Sequence, residues 1–367
     1  MSQPEITYAA AGVDTEAGDR AVDLMKAAVG ATHNQHVYGG LGGFAGLFDI
    51  SALKDMHRPL LATSTDGVGT KIELARQLDK HDTIGQDLVG MVIDDIVVIG
   101  ARPLFMTDYI ACGQVVPERI ASIVAGVAQA CAACDTALVG GETAEHPGLL
   151  VADEYDIAGA VTGVVDEPRL LGPQRVQQGD AIVALASSGL HSNGFSLVRS
   201  TLAAAGVSLS DHLPECGRTV GEELLEPTRL YAPICLPMLE DDGAVHAMSH
   251  ITGGGLGANI SRVIPTGLRA CIRRDSWQVP PVFSAVQRWG NVPVQDLENT
   301  LNMGVGMALV CPPEQADSLI EQARARGCAA WVLGEVISDD DAPTGTRVAG
   351  AKGVDGGAAE LVGDYRF

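Results

Sequence analysis

The sequence predicts an α/β (α+β) protein of two domains. Three observations carry this. Short runs rich in Val, Ile and Ala alternate with helix-periodic stretches along most of the chain. Glycine turns separate them, 44 of the 367 residues being Gly. A polar break at residues 166–180, DEPRLLGPQRVQQGD, then divides the pattern in two. Hydrophobic residues at 46% supply a sizeable core, and aromatics at 4% make that core aliphatic.

Taken in order, YAAAGVD at residues 8–14 reads as a loop and GDRAVDLMKAAV at 18–29 as an amphipathic helix. PLLATST (59–65) reads as a strand running into DGVGTK (66–71) and a helix, KIELARQL. Residues 83–100 form a second, almost wholly apolar helix. LFMTDYIA (104–111) is a strand, 117–134 a helix, TALV (136–139) a strand opening GGETAEHPG, and DIAGAVTGVV (156–165) a strand. Beyond the break come the strand AIVALA (181–186), the loop SSGLHSNG and a helix from Phe195. VHAMSH, ITGGGLG and ANISRVIP repeat strand, glycine loop, helix. GMALVC (306–311), a helix at 313–326 and WVLGEV (331–336) give a βαβ-like end. Three parts follow: 1–168, 169–337, and an acidic Gly/Ala-rich tail at 338–367 read as partly disordered.

The formal net charge of −22 argues against nucleic acid or an anionic membrane as partner. No run reaches transmembrane length and the start lacks a signal pattern. Cys131 and Cys134 form CAAC inside a helical stretch, but no second ligand pair has zinc spacing. All eight cysteines are therefore expected as reduced thiols of a cytoplasmic protein.

The chemistry is expected at carboxylates and glycine loops. In LVGMVIDDIVVIG (88–100), Met91, Val92, Val98 and Ile99 share the helical face of Asp95, whereas the face of Asp94 includes Gly90 and Asp87. Asp95 is thus the carboxylate that most demands a partner: a cation, or alternatively a backbone to cap or an arginine. Asp66 and Glu142 each sit beside glycines at the end of a strand, where α/β proteins place magnesium and phosphates. DGVGTK has neither P-loop nor dinucleotide-fingerprint spacing, and a plain turn explains it equally well. GLHSNG and HITGGGLG each lead into a helix and each carry a histidine, His191 and His250. Such loops bind anions or merely turn the chain.

Together TDGVGTK, HDTIGQDLVGMVIDDIVVIGARPLF, LVGGETAEHPG, LASSGLHSNGFSLVR, EPTRLYA, HITGGGLGANISRVIP and NMGVGM resemble the phosphoribosylformylglycinamidine cyclo-ligase (AIR synthetase) family. The resemblance implies ATP-dependent ring closure of a formylglycinamidine ribonucleotide in purine synthesis, with ATP and Mg2+. It implies a homodimer whose N-terminal sheets pair into a barrel, and a C-terminal mixed sheet with helices. By residue, it implies Asp66, Asp95 and Glu142 as metal ligands. Gly12, Asp14, Gly67, Gly69, Thr70, Lys71 and Gly141 fall on ATP and its phosphates. Ser192, Asn193, Gly194, Thr252, Gly253, Gly254 and Asn302 fall on the ribonucleotide, and His191, Lys71 and His250 on catalysis. The family usually has Asn-Asp where this chain has Asp94-Asp95, which leaves Asp94 open between extra ligand and surface carboxylate. The competing expectations are a related ATP-dependent kinase or synthetase of the same superfamily and a non-catalytic nucleotide-binding dimer.

Overall fold

The computed structural model describes residues 14–40, 42–340, 342–350 and 356–367. The N-terminal half is a four-stranded sheet of order β3-β6-β4-β5, with β3 Pro59–Gly67, β4 Arg102–Cys112, β5 Ala137–Glu145 and β6 Tyr155–Asp166. It is preceded by α1 (Thr15–Gly30) and a small hairpin, β1 (Val37–Tyr38) with β2 (Leu47–Phe48). β6 alternates buried and half-buried side chains because one of its faces meets a helix layer. That layer is α3 (Ile84–Val97) and α4 (Pro117–Ala133), with the short α2 (Ile72–Leu78) leading in. α3 and α4 touch backbone to backbone: a Cβ on Gly85 would lie 2.1 Å from Val127 N, and one on Gly126 2.3 Å from Asp82 O. The opposite sheet face is covered at one end, where Leu53 packs on Leu104 and Val164, and among the described residues it leaves Leu61 on β3 and Tyr109 on β4 exposed.

The C-terminal half is a seven-stranded mixed sheet of order β10-β12-β7-β13-β11-β15-β14. Its strands are β7 Ala181–Ala186, β10 Ala247–His250, β11 Leu268–Arg273, β12 Val305–Cys311, β13 Ala330–Ser338, β14 Thr346–Ala349 and β15 Ala358–Val362. A two-residue hairpin, β8 (His212–Leu213) with β9 (Arg218–Thr219), stands apart. β7 lies between β12 and β13 and is buried on both faces, which is why AIVALA is a continuous apolar run. Helices α5 Phe195–Ala205, α6 Val220–Leu224, α7 Ala232–Cys235, α8 Gly255–Ile260, α9 Pro281–Gly290, α10 Val294–Thr300 and α11 Ala316–Ala325 pack around it.

The tail differs from expectation. β15 pairs in parallel with β11 and antiparallel with β14, so the chain end completes the sheet instead of trailing from it. The Asp-, Gly- and Ala-rich surroundings hid it, because the strand is short, AAELV, and carries one buried charge, Glu360, matched by Arg269 at 2.8 Å.

Candidate active site

α3 is apolar on nearly every side because it is covered twice, by its own sheet and by the second domain. The second domain contributes EPTRLYA, and it reverses the expected burial of the two aspartates. Asp94 is fully buried. It accepts hydrogen bonds from Tyr231 N at 3.1 Å and Ala232 N at 3.0 Å, capping the start of α7. Burial pushes its carboxyl up to about 7, against the pull of His250 and the two backbone donors. Asp95, expected on the buried stripe, instead has a side chain 42% exposed and faces the cleft between the domains. Helical spacing located both residues on apolar surroundings but could not say which surroundings a second domain would seal.

Across that cleft His250, at the end of β10, brings Nδ1 to 3.0 Å from Asp95 Oδ1, and Ser64 Oγ donates to Asp95 Oδ2 at 3.5 Å. The ring is buried, which disfavours its charge, yet Asp95, Asp94 and Asp66 outweigh this and raise its pKa. Asp66, at the end of β3, accepts from Gly67 N at 2.8 Å. Burial raises its pKa and Asp95 adds to the rise. Asp66, Asp95 and His250 thus form one electrostatic cluster built from both domains. Ser64 was missed, although alternation along β3 places it on the face of Asp66.

Glu142 is elsewhere. Asp66 lies opposite Gly159 on β6, Gly159 opposite Asp108 on β4, and Asp108 opposite Gly141 on β5. Three strand spacings separate the two edges, about 14 Å. Among the described residues, no three His, Cys, Asp or Glu side chains converge as a metal cluster. Glu142 and Gly141 instead line a groove of about 660 Å3 with Asp108, α1 and the glycines Gly40, Gly42, Gly43 and Gly46. Burial pushes the Asp108 carboxyl up to about 7. Neither Asp108 nor this glycine loop was singled out from sequence, although YGGLGGFAG is legible as a loop.

Lys71 corrects a second expectation. Its side chain has no solvent exposure. Nζ donates to Asp87 Oδ1 at 2.8 Å and to Glu226 O at 2.7 Å, and sits 5.5 Å from the centre of the Phe195 ring. The 3-10 turn Gly69–Lys71 delivers it into the domain boundary rather than toward the glycines before it. Asp87 Oδ1 also accepts from Thr228 N and Oγ1, at 2.8 and 2.7 Å. EPTRLYA is therefore a clasp on α3, holding Lys71, Asp87 and Asp94 at once. Thr70 adds a hydroxyl contact to Ser196 at 3.2 Å, while Gly67 and Gly69 carry the turn, Gly69 at φ +71°.

The two expected substrate loops do meet. A Cβ on Gly253 would lie 3.9 Å from Asn193 Nδ2, and Gly194 and Gly254 both take left-handed φ at the entry to helices. Thr252 is half-buried beside them. His191, Ser192 and Asn302 lie inside and brace the loops. His191, at φ +62°, accepts from Ser188 N on Nε2 at 3.2 Å, and burial holds its pKa well below the usual range. Ser192 Oγ meets Thr228 Oγ1 at 3.1 Å. Asn302 donates to Gly189 O at 3.0 Å and accepts from Gly304 N at 2.8 Å. A free catalytic imidazole is thus not what the buried His191 presents. Asp14 caps α1 through Ala17 N at 3.0 Å, and Gly12 lies outside the described residues.

Comparisons with known proteins identify the family and the fold of both halves. Residues 48–165 match the family described as AIR synthase related protein, N-terminal domain, and residues 177–343 match its C-terminal domain. Phosphoribosylformylglycinamidine cyclo-ligase of Lachnospira eligens is 45% identical over 92% of this chain and 99% of its own. That of Desulfitobacterium hafniense DCB-2 is 49% identical over 91% and 98%. Among solved structures, thiamine-monophosphate kinase from Stenotrophomonas maltophilia K279a superposes with a TM-score of 0.63 at 18% identity, covering 93% of this chain and 95% of that one. The hydrogenase maturation protein HypE of E. coli gives 0.61 at 18%, covering 90% and 93%. At such identity the two structures testify to the fold alone.

Proposed function

The chain belongs to the phosphoribosylformylglycinamidine cyclo-ligase family, and we propose that the interdomain cleft closes the imidazole ring of aminoimidazole ribonucleotide at the expense of ATP. In that reaction ATP phosphorylates the formyl amide oxygen of formylglycinamidine ribonucleotide. The amidine-side nitrogen attacks the activated carbon, and phosphate leaves with the former amide oxygen. The observation that carries the proposal is the Asp66–Asp95–His250 cluster, assembled from both domains, with His250 at the head of one of the two glycine loops.

The donor set fits magnesium. Two hard carboxylates half-open to solvent, with Asp95 adding to the cost of ionising Asp66, suit a cation that takes its remaining ligands from phosphates and water. Asp66 and Asp95 would hold it, and it would supply neutralisation of the triphosphate. The chain's own residues do the rest. Asp95 fixes the tautomer and angle of His250, so that Nε2 is the nitrogen left for the substrate. The carboxylates around His250 raise its pKa and so favour its charged form on the side where phosphate charge would develop. Asn193, Gly194, Thr252, Gly253 and Gly254 hold the ribonucleotide, with His191, Ser192 and Asn302 setting the loop shape.

Glu142 and Gly141 belong in this reading to the nucleotide side, within the groove beneath α1. A homodimer is part of the same proposal. It is supported by the unpaired edges β3 and β5 and by the exposed Leu61 and Tyr109 on the partly covered sheet face. A cytoplasmic location is proposed on the eight free thiols. No helix among the described residues is long and apolar enough to cross a membrane. ADP release from ATP, measured with and without formylglycinamidine ribonucleotide, tests the activity. Release that depends on the ribonucleotide is expected. Release indifferent to it identifies a different acceptor, and binding without turnover identifies a scaffold.

A further inference from the structure

The last strands, β14 and β15, lie beyond the C-terminal family match, which ends at residue 343. They are not an inert edge. α8, which carries the Thr252 loop, rests directly on them: a Cβ on Gly257 would lie 2.8 Å from Val348 Cγ2 and 3.1 Å from Leu361 Cδ1. The extension reaches the loops by a second route as well. Glu298 on α10 is 2% exposed. Its carboxylate accepts from Arg274 Nε and Nη2 at 2.6 and 3.0 Å and from the Tyr365 hydroxyl at 2.7 Å. Arg274 donates onward to Leu361 O at 2.7 Å, Gly363 O at 3.3 Å and Thr346 Oγ1 at 3.1 Å, all on the extension. α10 then abuts both glycine loops. A Cβ on Gly255 would lie 1.7 Å from Glu298 O, and one on Gly194 2.3 Å from Leu301 Cδ2.

We propose that Tyr365, Arg274 and Glu298 form a positioning cluster through which the C-terminal extension sets the spacing of the two glycine loops, and with it the affinity for the ribonucleotide. None of the three touches a reacting atom. They act through α10, whose end is the common wall behind residues 189–194 and 252–255. Buried and charge-assisted, the cluster has one geometry that satisfies Glu298, so it transmits position rather than yielding to it. The inference rests on the reading that those loops hold the ribonucleotide.

The test is Tyr365→Phe, which removes one hydroxyl and keeps the ring packed on Trp277. In steady-state ring closure the KM for formylglycinamidine ribonucleotide should rise roughly 3- to 10-fold, with kcat and the KM for ATP within about twofold of wild type. Glu298→Gln, which weakens the hold of Arg274, should move the same constant further. In parallel, amide hydrogen exchange of the free protein should speed up in residues 252–257 and stay unchanged in β7. Unchanged exchange in that segment overturns the proposal. So does an equal rise in both KM values alongside a lower melting temperature, which is what loss of general stability produces. If wild type performs no ring closure, the functional reading fails, while the exchange comparison still decides the coupling.

Discussion

Replacing Lys71 by Met separates its two possible employments. Lys71 and Asp87 both have fully buried side chains and stand 2.8 Å apart. Met fills nearly the same aliphatic volume, so the perturbation is the loss of the ammonium. It leaves Asp87 with its two Thr228 donors but no counter-charge, and Oδ2 of Asp87 has no hydrogen-bond partner among the described residues. Breaking one side of a buried pair costs about 3–5 kcal/mol, and the apolar stem returns about 1 kcal/mol, so a net loss of about 3 kcal/mol is expected. Adding Asp87→Asn removes the stranded charge while an amide oxygen still accepts from Thr228. The double variant should regain about 1–2 kcal/mol. Urea titrations of the four proteins, followed by far-UV circular dichroism, measure the cycle. A single-variant loss below about 1 kcal/mol with no recovery, joined to a tenfold rise in the KM for ATP, would refute the clasp and return Lys71 to the phosphates.

Asp95→Asn should lower turnover roughly 100-fold or more while changing stability by about 1 kcal/mol or less, since its side chain is 42% exposed; near-normal kinetics would remove it from the cation site. His191 titrates well below its ordinary 6.5, so its neutral form belongs to the fold. Below that pH the unfolded chain binds the extra proton first. Its share of stability is therefore complete above about pH 6.5 and shrinks by about 1.4 kcal/mol per unit as the pH falls toward the depressed folded value. His191→Asn tolerates φ +62° and should flatten that slope in chemical denaturation between pH 6.5 and 5; an unaltered slope assigns acid sensitivity elsewhere. Gly255→Ala places a methyl 1.7 Å from Glu298 O at φ +69°. It should cost more than about 3 kcal/mol or fail to give soluble protein, and a wild-type melting curve would contradict the loop geometry.

The sequence made the layers and most elements legible, since strand and helix periods are local properties. AIVALA, LFMTDYIA and the helix after Pro117 stand where their patterns put them. What it could not resolve is contact between distant segments. Helical spacing gave Asp95 the more apolar face of a largely apolar helix, and only EPTRLYA, arriving about 140 residues later, decides that Asp94 is a cap and Asp95 a cleft residue. Lys71 looks like a phosphate ligand beside two glycines until its turn is seen to aim inward. Asp66 was legible as a carboxylate beside a glycine at a strand end, whereas Asp95 was singled out for a buried stripe on which it does not lie. Glu142 shares their local signature but lies at the other edge of the sheet. The tail was misjudged because β15 needs β11 beside it to be a strand at all.

That parallel pairing imposes a timetable on synthesis. Strands β3 to β6 can close soon after residue 166 emerges, whereas β11 must wait, edge exposed, for a neighbour translated last. A nascent chain is thus able to acquire its N-terminal half while its other half is still sticky. Messages cut short by a few codons would yield proteins that look nearly whole yet carry an unsealed strand, the kind of edge that chaperones and proteases recognise.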